Sequence, residues 1–224
     1  MLTPDERQRE STEIQVLLAA LDSYSDRLEK HHPLVLDVVR RLAIAFWRDG
    51  DINRAISLLD PAVDQLATLN GPAHDRMRAD LLDIVWKIMF EQGQLEQASL
   101  ILCEVFECRV RHDGALHIAS LETQGDLALV LFELGRLEEA ELMGSEAFES
   151  ARTHLGPRHS VTTVLAWNRM LNYERRMDAE SARKLAVSEL AWLLAEPPSS
   201  LTCDQREIQA WLAERWDWGS PRAC

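Results

Sequence analysis

Apolar residues recur at helical spacing along most of this chain, and no segment alternates as a half-buried strand does. In one stretch Leu121, Leu127, Ala128, Leu131 and Phe132 fall on one side of a helix. Gly135 ends it, since glycine accepts the left-handed conformation that closes a helix. A second amphipathic segment follows, with Leu137, Ala140, Met143, Ala147, Phe148 and Ala151 on one side, and Gly156-Pro157 stops it. The unit is a helix-turn-helix hairpin. Alone it cannot bury both apolar stripes, so neighbouring hairpins must stack.

The same pattern predicts helices over 34–49 and 52–69, 75–92 and 95–112, 118–134 and 137–154, and 160–176 and 178–195. Two markers keep the beat. The turn phrase appears as Gly50-Asp51-Ile52-Asn53-Arg54-Ala55, Gly93-Gln94-Leu95-Glu96-Gln97-Ala98 and Gly135-Arg136-Leu137-Glu138-Glu139-Ala140, with a worn copy at Met177-Asp178-Ala179-Glu180-Ser181-Ala182. His32, His74, His117 and His159 recur 42, 43 and 42 residues apart. Periods in this range mark a stacked repeat array. A small alanine at 55, 98, 140 and 182 lets the second helix approach the first. Phe46, Met89, Leu131 and Tyr173, four before each turn, fill the opposing gap.

The chain therefore reads as one domain over 1–224, with repeats 32–73, 74–116, 117–158 and 159–200. Glu13 to Lys30 carries Ile14, Leu17, Leu18, Leu21 and Leu28 and supplies an N-terminal half-repeat, 13–31, whose helix starts as early as Thr3-Pro4. Pro197-Pro198-Ser199-Ser200 breaks the pattern. Thr202-Cys203-Asp204-Gln205 then resembles a capping box, opening a covering helix over 201–218 with Trp211, Leu212 and Trp216.

Composition narrows the function. Hydrophobic residues make up 46% and charged residues 27%, ordinary for a core-forming protein. The net charge of -13 argues against nucleic acid, whose phosphates need a basic face, and against an anionic membrane surface. The N-terminal sequence has no apolar signal-peptide core and no span of about 18 apolar residues occurs, so a cytoplasmic location is expected. Cys103, Cys108, Cys203 and Cys224 show no zinc-ligand spacing and read as reduced thiols. The repeated histidines sit one per turn, so they serve turns rather than converge on one metal ion. Nucleophile elbows, phosphate loops and HExxH motifs are absent, and no cofactor or metal is expected.

Leu155-Gly156-Pro157-Arg158-His159, Gly71-Pro72-Ala73-His74 and His32-Pro33, with the hairpin turn Gly135-Arg136-Leu137-Glu138-Glu139-Ala140-Glu141, resemble tetratricopeptide repeats of the kinesin light chain type over roughly 13–195. The resemblance implies an all-α, right-handed superhelical array whose first helices line a concave, peptide-binding groove. An asparagine commonly stands nine before the turn glycine in that family. The corresponding residues here are Arg41, Ile84, Asp126 and Asn168, so only the last keeps it.

Projected inward, the first helices offer Asp37, Arg40, Arg41 and Arg48, then Asp80, Asp83, Lys87 and Glu91. Later ones add Glu122, Asp126, Asn168, Asn172 and Arg175, with Trp47 and Trp167 near the groove and Trp86 and Trp192 in the core. Guanidinium forks bind carboxylates bidentately, so the arginine cluster points to an acidic ligand. Arg41 and Arg48, seven apart, are expected to point into the groove together, with Arg40 toward its edge. Acid–base chemistry between Asp80, Asp83, Glu122 and Asp126 is disfavoured, because such pairs arise by chance in an acidic chain. The leading reading is a non-enzymatic scaffold binding a peptide or partner protein, an acidic one included. The alternative is a small-molecule protein or enzyme with a pocket around Trp47, Trp167 and Arg41. Oligomeric state and partner identity are not written in the sequence.

Overall fold

The structure is a computed structural model that describes residues 4–215, with side chains from Thr12 onward. It contains ten α-helices and no strand among the described residues. Trp216 and Trp218, at the end of the expected last helix, and Cys224 lie outside the described residues.

The chain divides into two compact units, Met1–Gly114 and Ala115–Cys224. The first holds α1 (Pro4–Ser25), α2 (Pro33–Arg48), α3 (Ile52–Ala67), α4 (Pro72–Glu91) and α5 (Leu95–Asp113). Within it α2 pairs with α3 and α4 with α5, while α1 packs on α2. The core runs through Leu17, Leu42, Phe46, Leu59, Leu66, Leu81 and Ile88. Leu42, Leu59 and Ile88 are wholly buried, each worth about 1.5–3 kcal/mol against exposure.

The second unit holds α6 (Ile118–Glu133), α7 (Leu137–His154), α8 (Ser160–Arg175), α9 (Ala179–Leu185) and α10 (Cys203–Arg215). Here α6 pairs with α7 and α8 with α9, and α10 packs on α8. The core gathers Leu121, Phe148, Leu165, Met170, Leu190, Leu193, Ile208 and Leu212. The helix expected over 178–195 is not uniform. After α9 the chain loosens into a π turn, Ala186–Leu190, and then tightens into a 3-10 turn, Ala191–Ala195. The change of pitch keeps Leu190 and Leu193 fully buried before the break at Pro197-Pro198. Helix α1 ends at Ser25, five residues short of the expected Lys30.

All four hairpin turns close the same way. The N–H of Asp51 reaches the carbonyl of Phe46 at 2.8 Å, and Gln94, Arg136 and Asp178 repeat the bond to Met89, Leu131 and Tyr173 at 2.8, 2.9 and 2.9 Å. The residue before each donor is left-handed: Gly50, Gly93 and Gly135 at φ +83, +73 and +77, and Met177 at +60. These are Schellman closures, which explains the preference for glycine there. Ala55, Ala98 and Ala140 are wholly buried and Ala182 nearly so, as close helix approach requires.

Three of the four repeated histidines are helix caps. The Nδ1 atoms of His32, His117 and His159 accept the N–H of Leu34, Ala119 and Val161 at 3.2, 3.3 and 3.2 Å. They satisfy helix-start donors that otherwise lack partners. His74 differs, because Gly71 is the N-cap of α4 and the His74 ring contacts the Asn70 carbonyl at 3.2 Å.

Candidate functional site

In the first unit, α2 and α4 enclose a cleft of about 440 Å³. From α2 it takes Arg40, Ile44, Trp47 and Arg48, and from α4 Asp80, Asp83, Ile84 and Lys87. Both sets follow the i, i+4, i+7 or i, i+3, i+4, i+7 spacing of one helix face. Arg109 of α5 completes the wall.

Asp83 is the charge hub. It accepts from Lys87 at 2.7 Å, from the Trp86 indole N–H at 3.2 Å and lies 3.4 Å from the Arg109 guanidinium. Arg109 also stands 3.8 Å from Asp80. Burial raises the Asp80 pKa above the usual carboxylate range, more than the Arg109 charge pulls it down, with Asp83 adding to the rise. Because 61% of the Asp80 side chain stays exposed, that cost is modest. The Trp47 indole N–H donates to Glu91 at 2.6 Å at one end of the cleft.

The cations are not equally engaged. Lys87 and Arg109 are held by Asp83, and Arg40 by Asp37 at 2.9 Å. Arg48 is exposed and forms no ion pair among the described residues. The cleft thus presents four cationic side chains against Asp80 and Asp83, in a chain of net charge -13.

Of the expected groove residues, the structure brings Arg40, Arg48, Asp83 and Lys87 together in this cleft. It divides the arginines differently from the helical-wheel expectation. Arg41 turns toward α1, 3.7 Å from Glu13, and lines a separate cleft with Asp37, whereas Arg40 shares the main cleft with Arg48. Arg41 continues the face of α2 that carries Leu34, Asp37 and Val38, at i, i+3, i+4 and i+7, and that face meets α1. Arg109 was not expected, because it stands on the second helix of its hairpin. It extends the buried stripe Ala98, Leu102 and Val105 of α5, and a charge on an apolar stripe calls for a carboxylate partner.

The remaining expected residues belong to the second unit. Asn168 and Asn172 line a narrow crevice of about 10 Å³ with Gly125, Ala128, Gly144 and Leu165. A Cβ on Gly125 would stand 2.2 Å from a Leu165 methyl, so α6 and α8 approach closely there. Asp126 lies half-buried on α6. Arg175 pairs with Glu133 and stacks over Phe132, 5.6 Å from the ring centre. Trp167 packs edge-on against Trp211 of α10, 6.3 Å between centres, and its indole N–H is buried without a partner. Glu141, not foreseen, accepts from Arg169 at 3.0 Å and from the Tyr173 hydroxyl at 3.0 Å. The aromatic residues thus divide: Trp47 belongs to the α2/α4 cleft and Trp167 to the contact with α10. Trp86 is buried, as expected, whereas Trp192 is half-buried and donates to the Glu189 carbonyl at 2.9 Å.

No group of three or more side chains suited to hold a metal ion occurs among the described residues. Nor is any helix among them long and apolar enough to cross a membrane. Cys108 and Cys203 are free thiols.

Residues 120–160, which span α6 and α7, match the family model of the tetratricopeptide repeat. Among solved structures, a Podosopora anserina protein assigned to the kinesin light chains, with nearly identical TPR-like repeats, superposes with a TM-score of 0.69 at 18% identity, covering 94% of this chain and 91% of that one. A single-substitution form of that protein gives 0.69 at 19% identity, over 93% and 90%. BtubC (BKLC) from P. vanneervenii gives 0.71 at 16% identity, over 96% of each chain. No curated protein matches the chain in sequence. The fold is that of kinesin light chain-like tetratricopeptide repeats, a helical scaffold that generally serves protein–protein interaction.

Proposed function

We propose that the chain is a non-enzymatic, cytoplasmic interaction scaffold that takes an acidic segment of a partner protein through the cleft between α2 and α4. One observation carries the reading. Arg48 is exposed at that cleft with no carboxylate of its own among the described residues, beside Arg40, Lys87 and Arg109, in a chain whose charge is otherwise strongly negative. A partner carboxylate entering there meets guanidinium forks without first displacing an internal anion from Arg48. Ile44, Ile84 and Trp47 supply apolar contact beside the charges.

Each charge-assisted contact is worth roughly 1.5–3 kcal/mol when desolvated, and less in an open cleft. Arg40→Ala combined with Arg48→Ala therefore costs about tenfold or more in affinity for an acidic peptide, measured by fluorescence anisotropy on the full chain. Binding also weakens as salt rises from about 0.05 to 0.3 M, where the screening length shortens through roughly 10 Å. Affinity indifferent to both changes refutes the reading. Arg41→Ala, on the α1 side of α2, serves as the comparison that leaves affinity in place.

A further inference from the structure

Each second helix of a hairpin has a first helix packed along it: α3 has α2, α5 has α4, α7 has α6 and α9 has α8. Helix α1 is the exception. It packs on α2 as a second helix packs on the next repeat, yet no first helix lies beside it among the described residues. Along α1 a cleft of about 460 Å³ opens against α2. Its walls are mainly apolar, with Val16, Leu17, Ala20 and Tyr24 from α1 and Leu34 and Val38 from α2. Two of these are among the most exposed large apolar side chains described, Val16 at 62% and Leu34 at 51%. Leu17 at its floor is 3% exposed, so the cleft opens directly onto the core.

The repeat also fixes the charge that an occupant must carry. Asp37 stands 43 residues before Asp80, the spacing from Ala55 to Ala98, so the two hold equivalent places on α2 and α4. Asp80 shares its cleft with Arg40 and Arg48 of the first helix before it. A helix bound in the α1/α2 cleft would bring its own side chains to Asp37 in the same manner. Glu13 adds a second carboxylate to that rim; Arg40 already lies 2.9 Å from Asp37 and Arg41 3.7 Å from Glu13, so an occupant's basic residues would share these carboxylates.

We propose that the α1/α2 cleft docks an amphipathic helix of a partner protein, with an apolar stripe on Val16, Leu17, Leu34 and Val38 and basic residues facing Asp37 and Glu13. The bound helix continues the hairpin pattern by one element and covers the apolar wall that α1 leaves open. A second copy of this chain is the poorer occupant, because each copy carries a net charge of -13 and would bring like charges together at the rim.

The test uses the full chain and two labelled peptides of about 18 residues, long enough for a stable bound helix. Both carry leucines at i, i+3, i+4 and i+7. One flanks the stripe with arginine and the other with glutamate. In the full chain carrying Arg48→Ala and Lys87→Ala, so that the α2/α4 cleft does not compete for the acidic peptide, fluorescence anisotropy is expected to show saturable binding of the basic peptide and at least about tenfold weaker binding of the acidic one. Val16→Asp and Leu34→Asp, both at exposed positions, abolish binding with an unchanged helical circular dichroism spectrum. Asp37→Arg reverses the preference toward the acidic peptide. Failure of the basic peptide to bind, equal affinity for both peptides, or affinity untouched by Val16→Asp overturns the proposal. So does a concentration-dependent dimer, seen by sedimentation and dissolved by Val16→Asp, which would make a second copy the occupant.

Discussion

Met177 occupies the one turn position of four where the repeat has lost its glycine, and it adopts φ +60 regardless. The closure there is intact, with Met177 donating to the Glu174 carbonyl at 2.9 Å and Asp178 to that of Tyr173 at 2.9 Å. A side chain in the left-handed region costs roughly 1–2 kcal/mol because its Cβ crowds the backbone. The Met177 side chain is 89% exposed, so its loss removes almost no packing. Met177→Gly relieves the strain but frees the unfolded chain, which costs about 0.4–1 kcal/mol. The balance is a stabilisation of about 0.5–1 kcal/mol. For a chain of this length that corresponds to a rise in melting temperature of about 1–4 °C. Differential scanning calorimetry on wild type, Met177→Gly and Gly135→Ala checks the sign in both directions. Gly135, at φ +77 with open space around its missing Cβ, should lose stability when alanine is introduced. A lowered melting temperature for Met177→Gly, or an unchanged one for Gly135→Ala, would refute the backbone argument.

Gln94 is the N-cap of α5 at φ -86, ψ 62 but makes no side-chain cap, whereas Asp51 at φ -85, ψ 66 accepts the Arg54 N–H at 3.2 Å. Gln94→Asp should therefore gain about 0.5–1 kcal/mol in urea unfolding, and a loss would show that the turn does not transfer. Gln205, 5% exposed, closes a capping box with Thr202 and also donates to the Arg158 carbonyl at 3.0 Å and the Thr163 hydroxyl at 3.3 Å. Gln205→Ala should cost about 1–3 kcal/mol by stranding buried partners, and an unchanged melting temperature would refute its role in holding α10. The hydrogen bonds from Ser181 hold the Asp178 pKa below the usual carboxylate range. Its stabilisation is present above the unfolded-state pKa and is lost as pH falls through the lowered value. Asp178→Asn should flatten that part of the acid dependence of the melting temperature, and an identical acid profile would count against it.

The hairpins were legible because their signals are local. A turn glycine, an alanine five residues on and a histidine cap each act within a few residues, so their period survives in sequence. The capping box at Thr202 and Gln205 could be read for the same reason. The π and 3-10 turns after Leu185 could not, because they answer to the burial of Leu190 and Leu193 rather than to local propensity. The cleft was half legible: Arg48, Asp83 and Lys87 lie where helical spacing puts them, whereas Arg40, expected at the edge, lines the cleft itself. Arg41 was misplaced because the face of α2 it shares with Leu34, Asp37 and Val38 meets α1, a packing partner that the spacing within α2 does not reveal. Arg109 was missed because it belongs to a second helix and reaches the cleft only through Asp80 and Asp83.

Two indole N–H groups report on the α2/α4 cleft: that of Trp47, in its wall, donates to Glu91 at 2.6 Å, and that of the buried Trp86 donates to the cleft carboxylate Asp83 at 3.2 Å. In a spectrum of the chain labelled with nitrogen-15 at tryptophan, an acidic peptide added at low salt should shift the Trp47 and Trp86 indole signals. Those of Trp192 and Trp211 should stay in place, and Arg40→Ala with Arg48→Ala should remove the response. Shifts confined to Trp167, Trp192 or Trp211, or a Trp47 response that persists in the double variant, would contradict an anion-reading cleft between α2 and α4.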